Sequence, residues 1–168
     1  MSETDRMLSA AREHFRGFDK GNLPPAPTRK VAVLTCMDAR IDPAALLGLS
    51  EGDAHVIRNA GGVVSDDAIR SLAVSQVLLG TEEVVLIQHT GCGMLAYSEE
   101  ELTERLEAEA GERPEWPVHA IADLEQSVRD GVAKIASSPF ILHRGSVRGF
   151  AYEVETGSLR ELSGAESS

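Results

Sequence analysis

Two short stretches of the sequence carry side chains whose types and spacing could do chemistry together. In C-M-D-A-R, Cys36, Asp38 and Arg40 follow the apolar run V-A-V-L-T. In H-T-G-C-G, His89 and Cys92 follow the apolar run V-V-L-I-Q. Two thiolates and one imidazole suit Zn²⁺, and three protein ligands leave the fourth tetrahedral position open, as in catalytic zinc sites. Together the two stretches predict a catalytic metal site.

Each stretch has a simpler interpretation when it is taken alone. Cys36 and Cys92 would then be buried thiols and His89 a satisfied residue at a strand end. A disulfide between the two cysteines fits the same geometry but is disfavoured in a reducing cytosol. Asp38 and Arg40 alone would form a surface ion pair, worth roughly 0 to 1 kcal/mol. The metal site is favoured because both stretches occur together, each at the end of an apolar run.

Other cysteine chemistries fail on spacing. A phosphatase loop needs an arginine six positions after its cysteine, where this chain has Asp42, and the sulfurtransferase loop needs it at five, where Ile41 stands. The chain has no C-x-x-C, no G-x-G-x-x-G after the first strand and no G-x-x-x-x-G-K-[ST]. Redox exchange and nucleotide binding therefore lose support.

The elements that must position these residues alternate between strand and helix. Apolar runs predict strands over residues 31–35, 54–58 and 83–89, and the tail reads as a strand, a turn at Thr156 and Gly157, and a return strand. A short helix is expected to begin near Asp42, and Ser65 is expected to cap a helix that Gly80 closes.

Two further helices follow from apolar periodicity. An N-terminal helix ends near Gly21 in this prediction, and its stripe consists of Met7, Leu8, Ala11, Phe15 and Phe18. A late amphipathic helix is marked by Val118, Ile121, Leu124, Val128, Val132 and Ile135. The acidic run S-E-E-E-L-T-E-R-L-E-A-E-A reads as a solvated helix face.

This alternation predicts an α/β fold with a central, mainly parallel β-sheet flanked by helices. The expected strand order is 2-1-3-4 with a short antiparallel edge strand. In such sheets, ligands bind beyond the carboxyl ends of the strands, where the strand order reverses. Cys36, His89 and Cys92 would converge at that point.

Length and charge limit the remaining possibilities. A chain of 168 residues suits one domain over 1–168, with an N-terminal helix at 1–22 and a Pro-rich linker at 23–30. A net charge of -11 opposes binding to nucleic acid or to an anionic membrane. No run is long and apolar enough for a membrane span, and the N-terminus lacks a signal-peptide pattern, so a cytoplasmic protein is expected.

C-M-D-A-R, R-N-A-G-G and H-T-G-C-G, in this order, resemble the β-class carbonic anhydrases, in particular their compact prokaryotic branch. The resemblance implies one Zn²⁺ per subunit, bound by Cys36, His89 and Cys92, and an Asp-Arg dyad of Asp38 and Arg40. It implies hydration of CO₂ to bicarbonate and a proton by a zinc-bound hydroxide that the dyad orients. Asp38 would become a fourth ligand in a closed state.

The resemblance also has consequences for the pocket and the assembly. It makes the backbone at Gly61, Gly62 and Gly93 part of the substrate-binding wall. It implies a homodimer or a tetramer in which the N-terminal helix extends onto a partner subunit. Two other functions remain open on the same residues: hydrolysis of carbonyl sulfide or carbon disulfide, and a non-catalytic zinc-binding module.

Overall fold

The computed structural model describes residues 1–163. A five-stranded β-sheet forms the centre of this part of the chain. Its strands lie in the order β2-β1-β3-β4-β5, and all neighbours are parallel except β4 and β5. This confirms the predicted order and the antiparallel edge strand. The strands are β1 (Val31–Cys36), β2 (Ala54–Asn59), β3 (Glu83–His89), β4 (Val147–Glu153) and β5 (Ser158–Ser163).

Five α-helices accompany the sheet within the described residues: α1 (Glu3–Arg16), α2 (Pro43–Leu47), α3 (Asp66–Leu79), α4 (Glu99–Ala110) and α5 (Leu124–Ser137). Ser65 caps α3 as predicted, accepting a hydrogen bond from the Ala68 amide, and Gly80 ends it in the left-handed conformation. Asp42 caps α2 in the same way. None of these helices is long and apolar enough to cross a membrane.

The core lies between the sheet and helices α3 and α5. Leu34 of β1 and Leu86 of β3 are fully buried and share one cluster with Leu72 of α3 and Val128 of α5. Both central strands are buried almost throughout, as parallel strands with both faces covered must be. The sheet is therefore a rigid base for the residues at its carboxyl edge.

Two predicted helix boundaries are wrong. Helix α1 ends at Arg16, not near Gly21, because Gly17 caps it with an amide bonded to the carbonyls of His14 and Phe15. Helix α5 begins at Leu124, so Val118 and Ile121 lie before it in an irregular segment. His119 in that segment has φ of 59°, in the left-handed region that a helix excludes.

Helix α1 differs from the others because none of its residues is buried. Met7, Leu8 and Phe15 of its predicted stripe are exposed, and Phe15 is 80% exposed. The helix is nevertheless well specified locally, since Ser2 and Asp5 form a reciprocal capping box at its start. Its apolar stripe is thus left uncovered by the described residues of its own chain.

Candidate metal centre

Three potential metal ligands meet at the carboxyl ends of the two central strands. Cys36 ends β1, His89 ends β3, and Cys92 follows in the loop after β3. One donor atom from each lies within 4.8 Å of the others, and all three residues are buried. The structure therefore brings together the three residues that the spacing had placed at one switch point of the sheet.

The separation of the two sulfur atoms decides between a disulfide and a metal site. The Sγ atoms of Cys36 and Cys92 are 3.9 Å apart, and both cysteines are free. A disulfide needs about 2.05 Å. Two thiolates on one tetrahedral zinc, each about 2.3 Å from the ion, would be about 3.8 Å apart. The sulfur pair thus fits a zinc ion without movement.

His89 presents its outer ring nitrogen to the same place. Its Nδ1 lies 2.9 Å from the backbone carbonyl oxygen of Thr90, which can only accept, so Nδ1 carries the proton and donates. The neutral ring then has its lone pair on Nε2. That atom is buried and has no hydrogen-bond partner, which is costly unless it binds something else. A metal ion is the partner that the two neighbouring sulfurs suggest.

The thiol of Cys92 needs a cation to ionise here. Burial raises the pKa of Cys92 to about 11, and the adjacent Cys36 sulfur also disfavours a second negative charge. Protein groups near the two sulfurs therefore do not stabilise a pair of thiolates by themselves. A divalent ion would do so, and its binding would release the thiol proton.

Asp38 and Arg40 form a rigid pair beside the three ligands. Arg40 donates from Nε to Asp38 Oδ1 at 2.9 Å and from Nη2 to Oδ2 at 2.7 Å, and its backbone amide also donates to Oδ1 at 2.9 Å. These hydrogen bonds hold the pKa of the Asp38 carboxyl well below its usual range. Arg40 Nη2 also donates to the Gly91 carbonyl at 2.8 Å, which ties the pair to the loop of Cys92.

The Asp38 carboxylate lies beside the candidate metal ligands but forms no hydrogen bond with His89. Its Oδ2 is 3.8 Å from His89 Nε2, which is longer than a hydrogen bond. The carboxylate is therefore adjacent to the donor set while Arg40 holds both of its oxygens. Asp38 thus lies beside the three candidate ligands and is not part of the group whose donor atoms lie within 4.8 Å of one another.

Arg58 supports the backbone beside the site through contacts that the sequence did not reveal. Its Nε donates to the carbonyl of Cys36 at 2.9 Å, and its Nη2 donates to the carbonyl of Asp38 at 2.8 Å. One guanidinium from β2 thereby fixes the backbone between the first ligand and the dyad. In the sequence, only the position of Arg58 in R-N-A-G-G pointed to this region. Hydrogen bonds to backbone carbonyl groups leave no pattern in a sequence.

Gly62 lies directly on the sheet beneath the ligands. Its φ is +61°, and a Cβ built on it would come within 2.9 Å of Cys36 N and Ile87 O. Gln88, next to the ligand His89, donates from Nε2 to the Gly62 carbonyl at 3.3 Å. Only glycine allows the loop after β2 to approach the two ligand-bearing strands so closely.

Gly61 adjoins an apolar surface next to the ligand loop. A Cβ built on Gly61 would contact Ile121 at 3.0 Å and Met94 at 3.1 Å. Met94 packs in turn on the cluster of Cys36, Ile41 and Cys92. Gly93, the third glycine of the predicted wall, is exposed, and a methyl group added to it would meet no heavy atom within 4 Å.

Glu99 holds the segment that carries Ile121. This glutamate belongs to the acidic run that was predicted to be a solvated helix face. Glu99 accepts from the amides of Val118 and Ala120 at 2.7 and 2.8 Å, and more distantly from His119 at 3.3 Å. The Ile121 amide donates to Met94 O at 2.8 Å. The remainder of α4 is exposed apart from a few positions such as Thr103, as expected. Glu99 thus fastens this segment against the loop of Cys92.

The carbonic anhydrase family model matches residues 31–159, which span every residue of this site. The chain belongs to the carbonic anhydrase family. β-Carbonic anhydrase 1 of Mycobacterium tuberculosis is 45% identical over 162 residues, which cover 96% of this chain and 99% of that protein. The crystal structure of a carbonic anhydrase from Streptococcus mutans has a TM-score of 0.91 and 39% identity, with 97% of this chain and 99% of that chain covered.

A second activity occurs among more distant relatives. A carbon disulfide hydrolase of Acidianus is 34% identical over 184 aligned positions, which cover 95% of this chain and 87% of that protein. This chain shares higher identity and coverage with the M. tuberculosis and S. mutans proteins than with the Acidianus hydrolase. Similarity to a β-carbonic anhydrase also agrees with the Cys-His-Cys donor set of the site.

Proposed function

We propose that this protein is a zinc-dependent β-carbonic anhydrase that catalyses the reversible hydration of CO₂ to bicarbonate and a proton. The observation that carries the proposal is the buried, unpartnered Nε2 of His89 beside two sulfurs at zinc-ligand separation, with an ionised carboxylate next to them. The 45% identity to a β-carbonic anhydrase over nearly the whole chain supports the same activity.

Cys36, His89 and Cys92 would hold one Zn²⁺ per subunit and leave one tetrahedral position open. When bound, zinc supplies a Lewis acid that lowers the pKa of water and so provides a nucleophile near neutral pH. The hydrogen bond from His89 Nδ1 to Thr90 O fixes the ring orientation before any ion arrives. The chain thus presents a preorganised donor set.

Asp38 would orient the attacking oxygen. Its carboxylate stays ionised because Arg40 donates to both of its oxygens, so it can only accept a hydrogen bond. By accepting a hydrogen bond from the attacking group, Asp38 would aim that group's lone pair at the carbon of CO₂. Arg40 is the residue that keeps the acceptor in place, and Arg58 supports the backbone beneath it.

CO₂ is small, linear and uncharged, so it needs an apolar wall rather than a charged binding site. Ile121 and Met94 would provide that wall, and Gly61 and Gly62 would allow substrate to pass close to the backbone. Gly93 would contribute through its exposed position in the loop after Cys92. These substrate contacts are part of the proposal.

Stopped-flow CO₂ hydration between pH 6 and 9, on protein with one zinc per chain, tests the activity. We expect turnover in wild type and a fall of about 10- to 100-fold in Arg40→Ala with zinc retained, because a group that orients the reacting centre is lost. Arg113→Ala, which removes an exposed arginine paired with Glu100 and Glu107 of α4, is the matched control and should behave as wild type. No hydration at full zinc occupancy anywhere in this range would favour a non-catalytic zinc-binding module.

Hydrolysis of carbon disulfide is the second candidate, supported by the 34% identical relative from Acidianus. Carbon disulfide and carbonyl sulfide are linear like CO₂ and present the same electrophilic carbon. Rates on the three substrates, measured with one zinc-loaded preparation, distinguish the two activities. A higher kcat/KM for carbon disulfide than for CO₂ would overturn the primary proposal.

We propose that the protein assembles as a homodimer in which α1 extends onto the partner subunit. The exposed stripe of α1, with Phe15 and Met7, would otherwise remain in water. A largely apolar groove of about 640 Å³ between α3 and α5, lined by Ile69, Val74 and Phe140 among others, offers a surface of matching character. Sedimentation equilibrium tests this: a dimer or tetramer supports the assembly, and a monomer at micromolar concentration contradicts it.

We also propose a reducing, cytoplasmic location and a single domain over 1–168, in which helix α1 (Glu3–Arg16) precedes a Pro-rich linker at 23–30. Two free thiols 3.9 Å apart are readily oxidised to a disulfide outside a reducing compartment, which would remove both sulfur ligands. Fractionation of the native host, with zinc content measured in each fraction, tests the location. Limited proteolysis that leaves residues 31–163 intact would support one folded unit.

A further inference from the structure

A second carboxylate lies next to Arg40, beyond the one that Arg40 holds. Gly91 separates the two groups: a methyl group built on Gly91 would lie 3.6 Å from Arg40 Nη1 and 3.8 Å from Glu155 Oε1. Arg40 Nη1 is also the nitrogen that takes no part in the bonds to Asp38 or to the Gly91 carbonyl. Glu155 is therefore close enough to Arg40 for the two charges to interact, without a direct hydrogen bond or ion pair between the side chains.

Glu155 is not a mobile surface residue, because Thr90 of the H-T-G-C stretch holds it. The Thr90 hydroxyl donates to Glu155 Oε2 at 2.8 Å and accepts from the backbone amide of Val154 at 3.1 Å. The Thr90 amide donates to the carbonyl of Tyr152 at 2.9 Å. Three hydrogen bonds thus bind Thr90, the residue between His89 and Gly91, to the end of β4 and to the turn that follows it.

The charge of Glu155 is stable in this position. The hydrogen bond from Thr90 lowers its carboxyl pKa, and the nearby Arg40 acts in the same direction. Glu155 Oε2 is occupied by Thr90, so Oε1 is the oxygen that remains on the Arg40 side. An ionised, anchored acceptor therefore stands on the opposite end of Arg40 from Asp38.

We propose that Glu155 is a positioning residue for the Asp38-Arg40 dyad. Its charge draws Nη1 toward the β4-β5 turn and so keeps the fork of Nε and Nη2 on the Asp38 carboxylate. Without it, Arg40 is held only by Asp38 and one carbonyl, and its half-exposed side chain can turn toward solvent. The kinetic consequence rests on the proposed hydration activity, whereas the charge interaction between Glu155 and Arg40 does not.

The test compares Glu155→Gln with Glu153→Gln in zinc-loaded protein. Glutamine at 155 can still accept from Thr90 but lacks the charge, and Glu153 lies in the same hairpin, where it accepts from Thr156. The readout without turnover is solvent exchange of the Arg40 Nε–H, followed by ¹⁵N-resolved NMR. We expect exchange to be several-fold faster in Glu155→Gln and unchanged in Glu153→Gln, with the same zinc content in both.

The salt dependence of Arg40 Nε–H exchange tests whether the charge of Glu155 causes the difference. Raising NaCl from 20 to 300 mM should speed Arg40 Nε–H exchange in wild type more than in Glu155→Gln, because screening weakens only an ionic contact. In CO₂ hydration, Glu155→Gln should lower kcat by about two- to five-fold, the size expected of an exposed ion pair, with KM little changed.

Exchange that is unchanged or slower in Glu155→Gln would overturn the proposal, and slower exchange would show that Glu155 competes with Asp38 for Arg40. A change of equal size in Glu153→Gln would also overturn it, since net charge alone would then be responsible. If wild type hydrates no CO₂, the proposed function fails, while the exchange measurements still decide the role of Glu155.

Discussion

Helix α1 and the carboxyl edge of β1 and β3 represent opposite ways of specifying structure. Helix α1 has a reciprocal capping box, a glycine at its end and an amphipathic pattern, yet none of its residues is buried. The carboxyl edge is built from two strands that are far apart in the sequence, and Cys36, His89 and Cys92 are buried there with a ring nitrogen left unpartnered. Helix α1 is thus specified by its own residues but is not packed, whereas the edge is specified by the topology of the sheet and is packed.

The difference indicates that each region needs something from outside the chain. Buried polar atoms without partners are rare in folded proteins, and the proposed metal ion would supply the partner that His89 Nε2 lacks. An exposed apolar helical stripe is a surface that a partner can cover, and the proposed partner for α1 is a second subunit. Substitutions at the edge should therefore change zinc binding and the free energy of unfolding, whereas substitutions in the apolar stripe of α1 should change the association of subunits.

Cys92→Ser should have the largest effect, because it replaces a sulfur ligand in a three-ligand site. We expect loss of bound zinc and a fall in CO₂ hydration of more than about 100-fold, since removing even an outer partner of a ligand costs 10- to 100-fold. Zinc analysis and stopped-flow assays measure both. The helix content from circular dichroism should stay unchanged. Full zinc occupancy in this variant would contradict the ligand role of Cys92.

Gly62→Ala should destabilise the edge by about 2 to 4 kcal/mol, from a positive φ and from overpacking. Its Cβ would meet backbone atoms of Thr35, Cys36 and Ile87 at 2.9 Å. Gly17→Ala is the matched control at the end of α1, where nothing lies within 4 Å of a new methyl group, and should change stability by less than about 0.5 kcal/mol. Urea denaturation measures both, and equal losses would remove the distinction between the two regions.

Phe15→Ser should weaken the proposed dimer by at least about 10-fold in its dissociation constant, because a large aromatic residue would leave the interface. Arg12→Gln changes the same helix at a residue outside the apolar stripe and should leave association unchanged. Analytical ultracentrifugation over a range of concentrations measures the effect. Association that is identical in wild type and Phe15→Ser would show that the α1 stripe is not covered by a partner.

The smallest effects should come from the two serine caps. Ser65→Ala should lower the free energy of unfolding by about 1 kcal/mol, because α3 packs Leu72 into the core. Ser2→Ala should lower it by less than half as much, although Ser2 belongs to a fuller capping box. The first turn of α1 buries nothing, so it can fray independently of the core. A larger loss from Ser2→Ala would contradict this account.

The sequence predicted the strand order and the convergence of the three ligands because both depend on strong signals. Apolar runs such as V-A-V-L-T mark buried strands, and parallel connections leave few possible orders. Cys36 and His89 each end such a run, so sheet topology alone brings them together. The pairing of Asp38 with Arg40 was implied by the resemblance to the β-class carbonic anhydrases, and the two side chains are hydrogen-bonded in the structure.

What the sequence did not predict depends on backbone contacts across the fold. Val118 and Ile121 fit a helical period, but Glu99 bonds the amides of Val118 and Ala120 and holds the segment as a loop. Arg58 acts on two carbonyl groups, and Glu155 reaches Thr90 from a distant hairpin. Hydrogen bonds to backbone atoms leave no periodic signal. The end of α1 was misplaced because Gly17 stops it earlier than Gly21 would.

Zinc K-edge X-ray absorption on the reduced, purified protein tests the central claim most directly. We expect one zinc per chain with two sulfur neighbours at about 2.3 Å and nitrogen or oxygen neighbours at about 2.0 to 2.2 Å. A metal-free protein that takes up no zinc when it is added, or a zinc ion without two sulfur neighbours, would contradict it.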